Sequence, residues 1–178
     1  MESTQEYVLL VALIMVKNEG DGIVNILKQY VDGDVTNFLI YDMGSTDSTL
    51  TCIRNYFQDI LDVTYFIIEE PLTESSSINL ELGHLTEQIN QAINHVKRLF
   101  NTVFILIPDS AFYIHSLHEL LIFCKDNLNS EEEIYYLNVK VNDLTLQQNR
   151  LIRSNLKYYT PSREGINFVP SECFFEVV

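Results

Sequence analysis

Between Val8 and Ile107 the chain alternates apolar runs with stretches whose apolar residues recur every three or four positions. This alternation limits the possible folds more than any other feature. Val8 to Val16, Thr36 to Tyr41, Val63 to Ile68 and Thr102 to Ile107 are rich in Val, Ile, Leu and aromatic residues, with no regular polar alternation. Such runs read as strands covered on both faces. Between them, Ile23, Ile26, Leu27, Tyr30 and Val31 mark one helix, and Leu50, Ile53, Phe57 and Ile60 a second. Leu82, Leu85, Ile89, Ile93, Val96 and Phe100 mark a third, the most strongly periodic. Strands separated by helices in this way join as parallel neighbours through right-handed crossovers. The expectation is an α/β domain.

The pattern changes after Pro108-Asp109-Ser110. Leu117, Leu120, Leu121, Cys124 and Leu128 predict a fourth helix, and Ser130-Glu131-Glu132-Glu133 an acidic turn. Beyond it Tyr135, Leu137, Val139 and Val141 alternate with a period of two; Leu151 to Arg153 and Phe174 to Val178 also look extended. The second half is expected to add antiparallel strands to the same sheet. No linker, repeat or low-complexity stretch divides the 178 residues, so one domain is expected over 1–178. Glu69 to Asn79, with Glu-Glu-Pro and three consecutive serines, predicts a long mobile loop of the kind that forms lids.

Composition removes several functions. With 25 acids against 11 bases the formal charge is −14, and no run of Lys or Arg is present. Such a surface repels nucleic acid and anionic membranes. The three cysteines, Cys52, Cys124 and Cys173, have neither zinc-ligand spacing nor an even count and read as reduced thiols. His115 and His118, three apart, could share a helix face and hold a metal, or simply lie on a surface helix. The apolar run from Tyr7 to Val16 is too short to cross a bilayer, which takes about 20 residues, and lacks a basic flank. A cytoplasmic protein is expected.

Chemistry is expected where the second strand ends. Phe38 to Asp42 closes on an acid, crosses Gly44 and enters a helix through Ser45-Thr46-Asp47-Ser48-Thr49. In α/β proteins, ligands sit beyond the carboxyl ends of strands and beside helix N-termini. Asp42 is expected at the strand edge with its carboxylate facing the crevice, and Ser45 or Thr46 as the helix cap. A strand–turn–helix corner with a capping acid would look the same.

Three blocks in order carry a resemblance. They are Ala12 to Glu19, a strand with a short polar turn; Tyr41-Asp42-Met43-Gly44-Ser45-Thr46-Asp47-Ser48-Thr49; and Phe104-Ile105-Leu106-Ile107-Pro108-Asp109-Ser110. The second is similar to the D-x-G-S-T-D-x-T segment of family-2-like glycosyltransferases of GT-A fold. The third lies where that family carries Asp-x-Asp. Asn149 to Arg153 with Ser162 to Gly165 is similar to the R-L-F-R … H-E ending of a bacterial-type branch.

The resemblance implies a Rossmann-like α/β/α sandwich with a mixed, mainly parallel sheet. Its nucleotide-binding half would span about 1–110 and its acceptor-side half about 111–178. It implies transfer of a sugar from a nucleotide-sugar donor, UDP-linked by preference, to a glycan, protein or lipid-linked acceptor, with inversion. Val16, Lys17, Glu19, Asp42 and Gly44 would hold the donor. Asp109 would reach its diphosphate through Mn²⁺ or Mg²⁺, hard cations suited to oxygen ligands. Glu164 would take the proton of the acceptor hydroxyl. A homo-oligomer is open to such a chain, and the abundance of Asn, Ile, Tyr and Phe suggests an AT-rich genome such as a virus's.

The chain also departs from the family. The second acid of Asp-x-Asp is absent, Arg163 stands for the histidine of H-E, and Ile89-Asn90 stands where an Arg-Asn pair often opens the third helix. A catalytically idle GT-A domain that binds nucleotide, glycan or protein is therefore the alternative. A nucleotidyltransferase would want a phosphate loop richer in glycine and lysine than Lys17-Asn18-Glu19-Gly20. Glu19 could instead be a first-turn helix acid, and Arg150 and Arg153 could bind phosphate or acceptor, or pair with surface carboxylates.

Overall fold

The fold grows outward from β1 (Val8–Val16), whose residues Leu10 to Ile14 are almost wholly buried. It lies between two parallel neighbours. On one side β2 (Asn37–Asp42) pairs with it from Ala12↔Phe38 to Val16↔Asp42; on the other β4 (Thr102–Leu106) pairs from Val8↔Thr102 to Ala12↔Leu106. Outside β2 runs β3 (Thr64–Glu69), also parallel. The connections are α1 (Gly22–Asp32), α2 (Thr49–Gln58) and α3 (Leu82–Leu99). The computed structural model describes residues 7–70, 82–108, 112–141, 144–160 and 174–177.

Beyond β4 the pairing becomes mixed. Next come β5 (Phe112–Ile114), α4 (Leu117–Asp126), β6 (Ile134–Val141), β7 (Leu144–Arg153) and β8 (Phe174–Val177). β7 pairs antiparallel with β4 (Phe104↔Arg153) and with β6, β8 lies parallel to β6, and β5 closes the edge against β8. The eight strands run in the order β3-β2-β1-β4-β7-β6-β8-β5.

Successive strand residues point to opposite faces, which explains the unbroken apolar runs. Leu10, Ala12, Ile14 and Val16 of β1, with Phe38, Ile40, Phe104 and Leu106, pack under α1, α2 and α4 through Ile23, Leu27, Ile53, Phe57, Leu117 and Leu120. Val11, Leu13, Leu39, Tyr41 and Ile105 face the other way, under Ile89, Ala92, Ile93, Val96 and Phe100 of α3. The molecule is a three-layer α/β/α sandwich on a mixed sheet.

Some details differ from expectation. β2 continues through Asp42 instead of stopping at Tyr41, because Asp42 still pairs with Val16 and Glu69. β7 starts at Leu144, whereas only Leu151 to Arg153 looked extended: Gln147, Gln148 and Asn149 lack an apolar signal, and the β6 ladder recruits them through backbone bonds. No sequence pattern predicts β5, which has only three residues. Leu85, expected on the buried face of α3, is 38% exposed, while Thr86 and Gln88 beside it are buried. His115 precedes α4, so it does not share a helix face with His118. Cys52 and Cys124 form no disulfide among the described residues. Residues 71–79 of the expected lid, Cys173, Asp109 and Glu164 lie outside the described residues.

Candidate functional site

The registers Val16↔Asp42 and Asp42↔Glu69 bring the carboxyl ends of β1, β2 and β3 into one row. The ladder runs one step further: Met43 donates its N–H to the Val16 carbonyl (2.9 Å) and Glu70 to the Asp42 carbonyl (3.0 Å). Above this row the chain leaves β1 through Lys17-Asn18-Glu19-Gly20 and β2 through Met43-Gly44-Ser45-Thr46.

Gly44 has φ 87°, a left-handed conformation that glycine adopts without strain. The turn it allows folds the chain back over Asp42. The carboxylate accepts the Gly44 N–H at 3.2 Å and the Ser45 N–H at 3.1 Å to each oxygen. Asp42 is 3% exposed. Expected to face the crevice, it lies back on its own turn, since backbone N–H groups offer a buried carboxylate the partners it needs. An ionised carboxylate has about four lone-pair sites, so these bonds do not exhaust it.

Ser45 and Thr46, expected as helix caps, do something else. α2 starts at Thr49, and Asp47 serves its first turn: Asp47 Oδ1 accepts the Thr49 N–H (3.0 Å) and hydroxyl (2.5 Å). These bonds, the hydroxyl's first, hold the Asp47 carboxyl below the usual range. Ser45 Oγ instead accepts the Asn18 N–H at 3.0 Å, and Asn18 Oδ1 accepts the Thr46 N–H at 2.8 Å. Thr49 Oγ1 also takes the Gly20 N–H at 2.9 Å. The loops after β1 and β2 are thereby laced together.

Of the five residues expected to hold a donor, all five fall at this lacing. Val16 is buried in the core and its carbonyl is engaged by Met43; Lys17 is exposed; Glu19 and Gly44 are half-buried. Asn18, Asp47 and Thr49, to which the sequence pattern assigns no role, make these bonds. Asn18 has φ 56°, and an Asn directly after a buried strand, where the chain must turn, is the signal that could have revealed it.

The fourth parallel strand, β4, ends at Leu106. Ile107 donates its N–H to the Arg150 carbonyl (2.7 Å), and the Arg150 guanidinium donates to the Ile107 carbonyl (3.3 Å) and to Gln148 Oε1 (2.7 Å). Pro108 follows, buried. Arg153 pairs with no surface carboxylate among the described residues. Its guanidinium donates to the Asn127 and Leu128 carbonyls at 2.9 and 3.0 Å, closing the end of α4, and lies 5.1 Å above the Phe104 ring.

Under α3 a second polar group adjoins the site. The Tyr41 phenol, one residue before Asp42, donates to Gln91 Oε1 at 3.3 Å. Burial, with the charge of Glu70 adding to it, pushes that phenol up to about 12. His95, 6.1 Å away ring to ring, is pushed below its ordinary value by burial and by Arg98. Asn90, at the family's Arg-Asn position, grips the backbone of Tyr159 in both directions, at 2.8 and 2.7 Å.

Among the described residues no three His, Cys, Asp or Glu side chains come together to hold a metal, so they do not furnish a cation site by themselves. Nor, among them, is any helix long and apolar enough to cross a membrane. A cavity of about 190 Å³ lined by Leu10, Val35, His118 and Leu121 lies at the amino ends of β1 and β2, on the edge opposite the laced loops.

No family model and no curated protein matches the sequence. The fold does match solved structures. A mannosyltransferase from Pyrobaculum calidifontis, in complex with GDP-Man and Mn²⁺, superposes with TM-score 0.57 at 16% identity over 78% of this chain and 38% of that one. A Bacillus anthracis structure assigned as a glucose-1-phosphate thymidylyltransferase, in complex with sucrose, gives TM-score 0.50 at 10% identity over 75% of this chain and 56% of that one. This chain thus spans less than two thirds of either. At such identities the likeness is one of fold: the chain has a GT-A-like α/β fold.

Proposed function

We propose that the protein is a glycosyltransferase that moves a sugar from a nucleotide-sugar donor, UDP-linked by preference, to a glycan, protein or lipid-linked acceptor. The observation that carries this reading is the pair of laced loops over the carboxyl ends of β1 and β2 in a GT-A-like fold. That edge is where open α/β sheets bind nucleotides. Asp42, Gly44, Lys17, Glu19 and the backbone at Val16 hold the nucleoside. The acceptor oxygen bonds to the anomeric carbon as the bond to the diphosphate breaks, with inversion, and the hydroxyl proton passes to Glu164. A divalent cation would neutralise the leaving diphosphate. Asp109 would hold it together with the phosphate oxygens, and one carboxylate predicts that the cation binds only when the nucleotide is present.

Melting temperature tests donor binding. A UDP-sugar with Mn²⁺ is expected to raise it, Mn²⁺ alone to leave it unchanged. No shift with any UDP-, GDP- or TDP-sugar, with or without metal, removes the proposal. Asp42→Ala is expected to weaken nucleotide binding about tenfold, the order of one charge-assisted hydrogen bond. Glu164→Gln should keep affinity and abolish transfer; full turnover in that variant would strip Glu164 of its role.

A second reading is favoured by Pro108-Asp109-Ser110-Ala111, which offers one acid where the family has two. It is an idle GT-A domain that binds nucleotide, glycan or a protein partner without turnover. Transfer to any acceptor, or hydrolysis of any donor, eliminates it.

A further inference from the structure

We propose that Asn18 is a positioning residue: it locks the loops after β1 and β2 into one rigid floor for the nucleotide without touching the nucleotide itself. The inference rests on the reading of this edge as a nucleotide-sugar crevice and adds a residue to which neither motif nor family resemblance gives a role.

The groups proposed to hold the donor come from two loops separated by more than twenty residues of chain. Lys17 and Glu19 follow β1, whereas Asp42 ends β2 and Gly44 follows it. Below them the strands fix the register through Val16↔Asp42 and the Met43-to-Val16 bond. Above the strands that ladder ends, and what remains is the lacing. Asn18 supplies both bonds between the turn tips: its N–H donates to Ser45 Oγ (3.0 Å), and its Oδ1 accepts the Thr46 N–H (2.8 Å) and lies 3.5 Å from the Thr46 hydroxyl. The Gly20 N–H to Thr49 Oγ1 bond fastens the far end of the same loop to the start of α2.

The chemistry explains why asparagine stands here. The position has φ 56°, which Asn and Gly tolerate and most residues do not. Gly would keep the backbone but lose the acceptor. Asp would keep the acceptor but place a negative charge at the mouth of a crevice meant for a diphosphate. Asn alone among these supplies both the conformation and a neutral acceptor. Asn18 is exposed, so its removal takes little from the core, and its effect should fall on loop geometry instead of overall stability. A site whose groups are held in place before binding loses less entropy when the ligand arrives.

The test compares wild type with Asn18→Gly, Asn18→Asp and Ser45→Ala. Calorimetric titration with UDP, GDP and TDP in the presence of Mn²⁺ gives affinity, NMR gives the exchange rate of the Thr46 amide, and thermal melting gives stability. Asn18→Gly is expected to speed Thr46 exchange and weaken the best nucleotide about tenfold, the order of one lost hydrogen bond plus lost preorganisation, with a melting temperature close to wild type. Ser45→Ala should do the same to a smaller degree. Asn18→Asp should restore slow Thr46 exchange yet bind the diphosphate poorly. If Asn18→Gly speeds Thr46 exchange but binds nucleotide within twofold of wild type, the lacing exists and does not position, and the inference falls alone. If affinity drops only in step with a large loss of melting temperature, Asn18 is structural and the inference falls. If wild type binds none of the three nucleotides, the nucleotide reading falls and takes the inference with it.

Discussion

The two halves of the sheet are built from the same kind of ladder and serve different ends. From β3 to β4 the strands are parallel, β1, β2 and β3 each lead into a helix, and the central ones are buried on both faces. From β7 to β5 the pairings are mixed and the outer part of β7 is open to solvent, with Leu146 48% exposed. A parallel strand must send its chain back over the sheet, so every carboxyl end in the first half opens into a turn on the same edge. That is why Asp42, Gly44, Asn18 and Glu19 gather there. In the hairpin of β6 and β7 the chain reverses at once, and no comparable row of turns arises. Site and topology are one fact seen twice.

A matched pair of core truncations would break this comparison most forcefully. Leu13 in β1 and Leu137 in β6 are both fully buried. Leu13→Ala is expected to cost about 4 kcal/mol and Leu137→Ala about 3, within the usual range for buried leucines, because β1 lies beneath a helix layer on each face. Denaturant titration checks both. A larger loss at Leu137 would mean that the antiparallel half holds the greater share of the packing.

The seam between the halves offers a smaller effect. Gly33 ends α1, and a Cβ there would stand 2.4 Å from Leu117 Cδ2 and 3.0 Å from Leu117 Cβ, at the start of α4. Glycine is needed here for close approach, not for its dihedral freedom. Gly33→Ala should therefore cost about 1–3 kcal/mol as an overpacked contact. Adding Leu117→Ala should make the double variant less destabilised than the sum of the two singles. Strict additivity in that cycle would show that the contact does not couple the halves.

How much of this was legible depended on what each residue's signal was for. The parallel half was readable because two-sided burial writes itself as unbroken apolar runs, and the helices between them as three-and-four spacing. Most of β7 is illegible because Gln147, Gln148 and Asn149 carry no apolar signal although their backbone pairs with β6, and β5 because three residues at a sheet edge leave no period to find. At the site, the position of Asp42 was legible and its orientation was not: whether a carboxylate faces a crevice or its own turn depends on the φ of Gly44. The lacing by Asn18 joins residues 27 and 28 positions apart, a distance over which local patterns say nothing. Tyr41 stands in the sequence as one more apolar strand residue, although its hydroxyl carries chemistry of its own.

That hydroxyl gives the smallest and most specific effect, because Tyr41 and His95 sit together under α3 and should respond to pH in opposite directions. Burial raises the Tyr41 phenol from its ordinary 10.0 to about 12, so the unfolded chain releases this proton at a lower pH than the folded one. The stability it contributes is complete below about pH 10 and lost as pH rises toward 12. His95 is depressed, first by burial and then by Arg98, so the unfolded chain takes up a proton before the folded one does. Its contribution is complete above its ordinary 6.5 and lost as pH falls below that value. Tyr41→Phe should flatten the alkaline limb of a melting-temperature profile and leave the acid limb alone; His95→Gln should lessen the acid slope only, over a smaller span because the ring is half-exposed. A Tyr41→Phe profile that still falls between pH 10 and 12 as steeply as wild type would place the titrating group elsewhere. If either change moved both limbs, the two side chains would be titrating as a coupled pair, and the group beneath Asp42 would behave as one proton-holding unit instead of two neighbours.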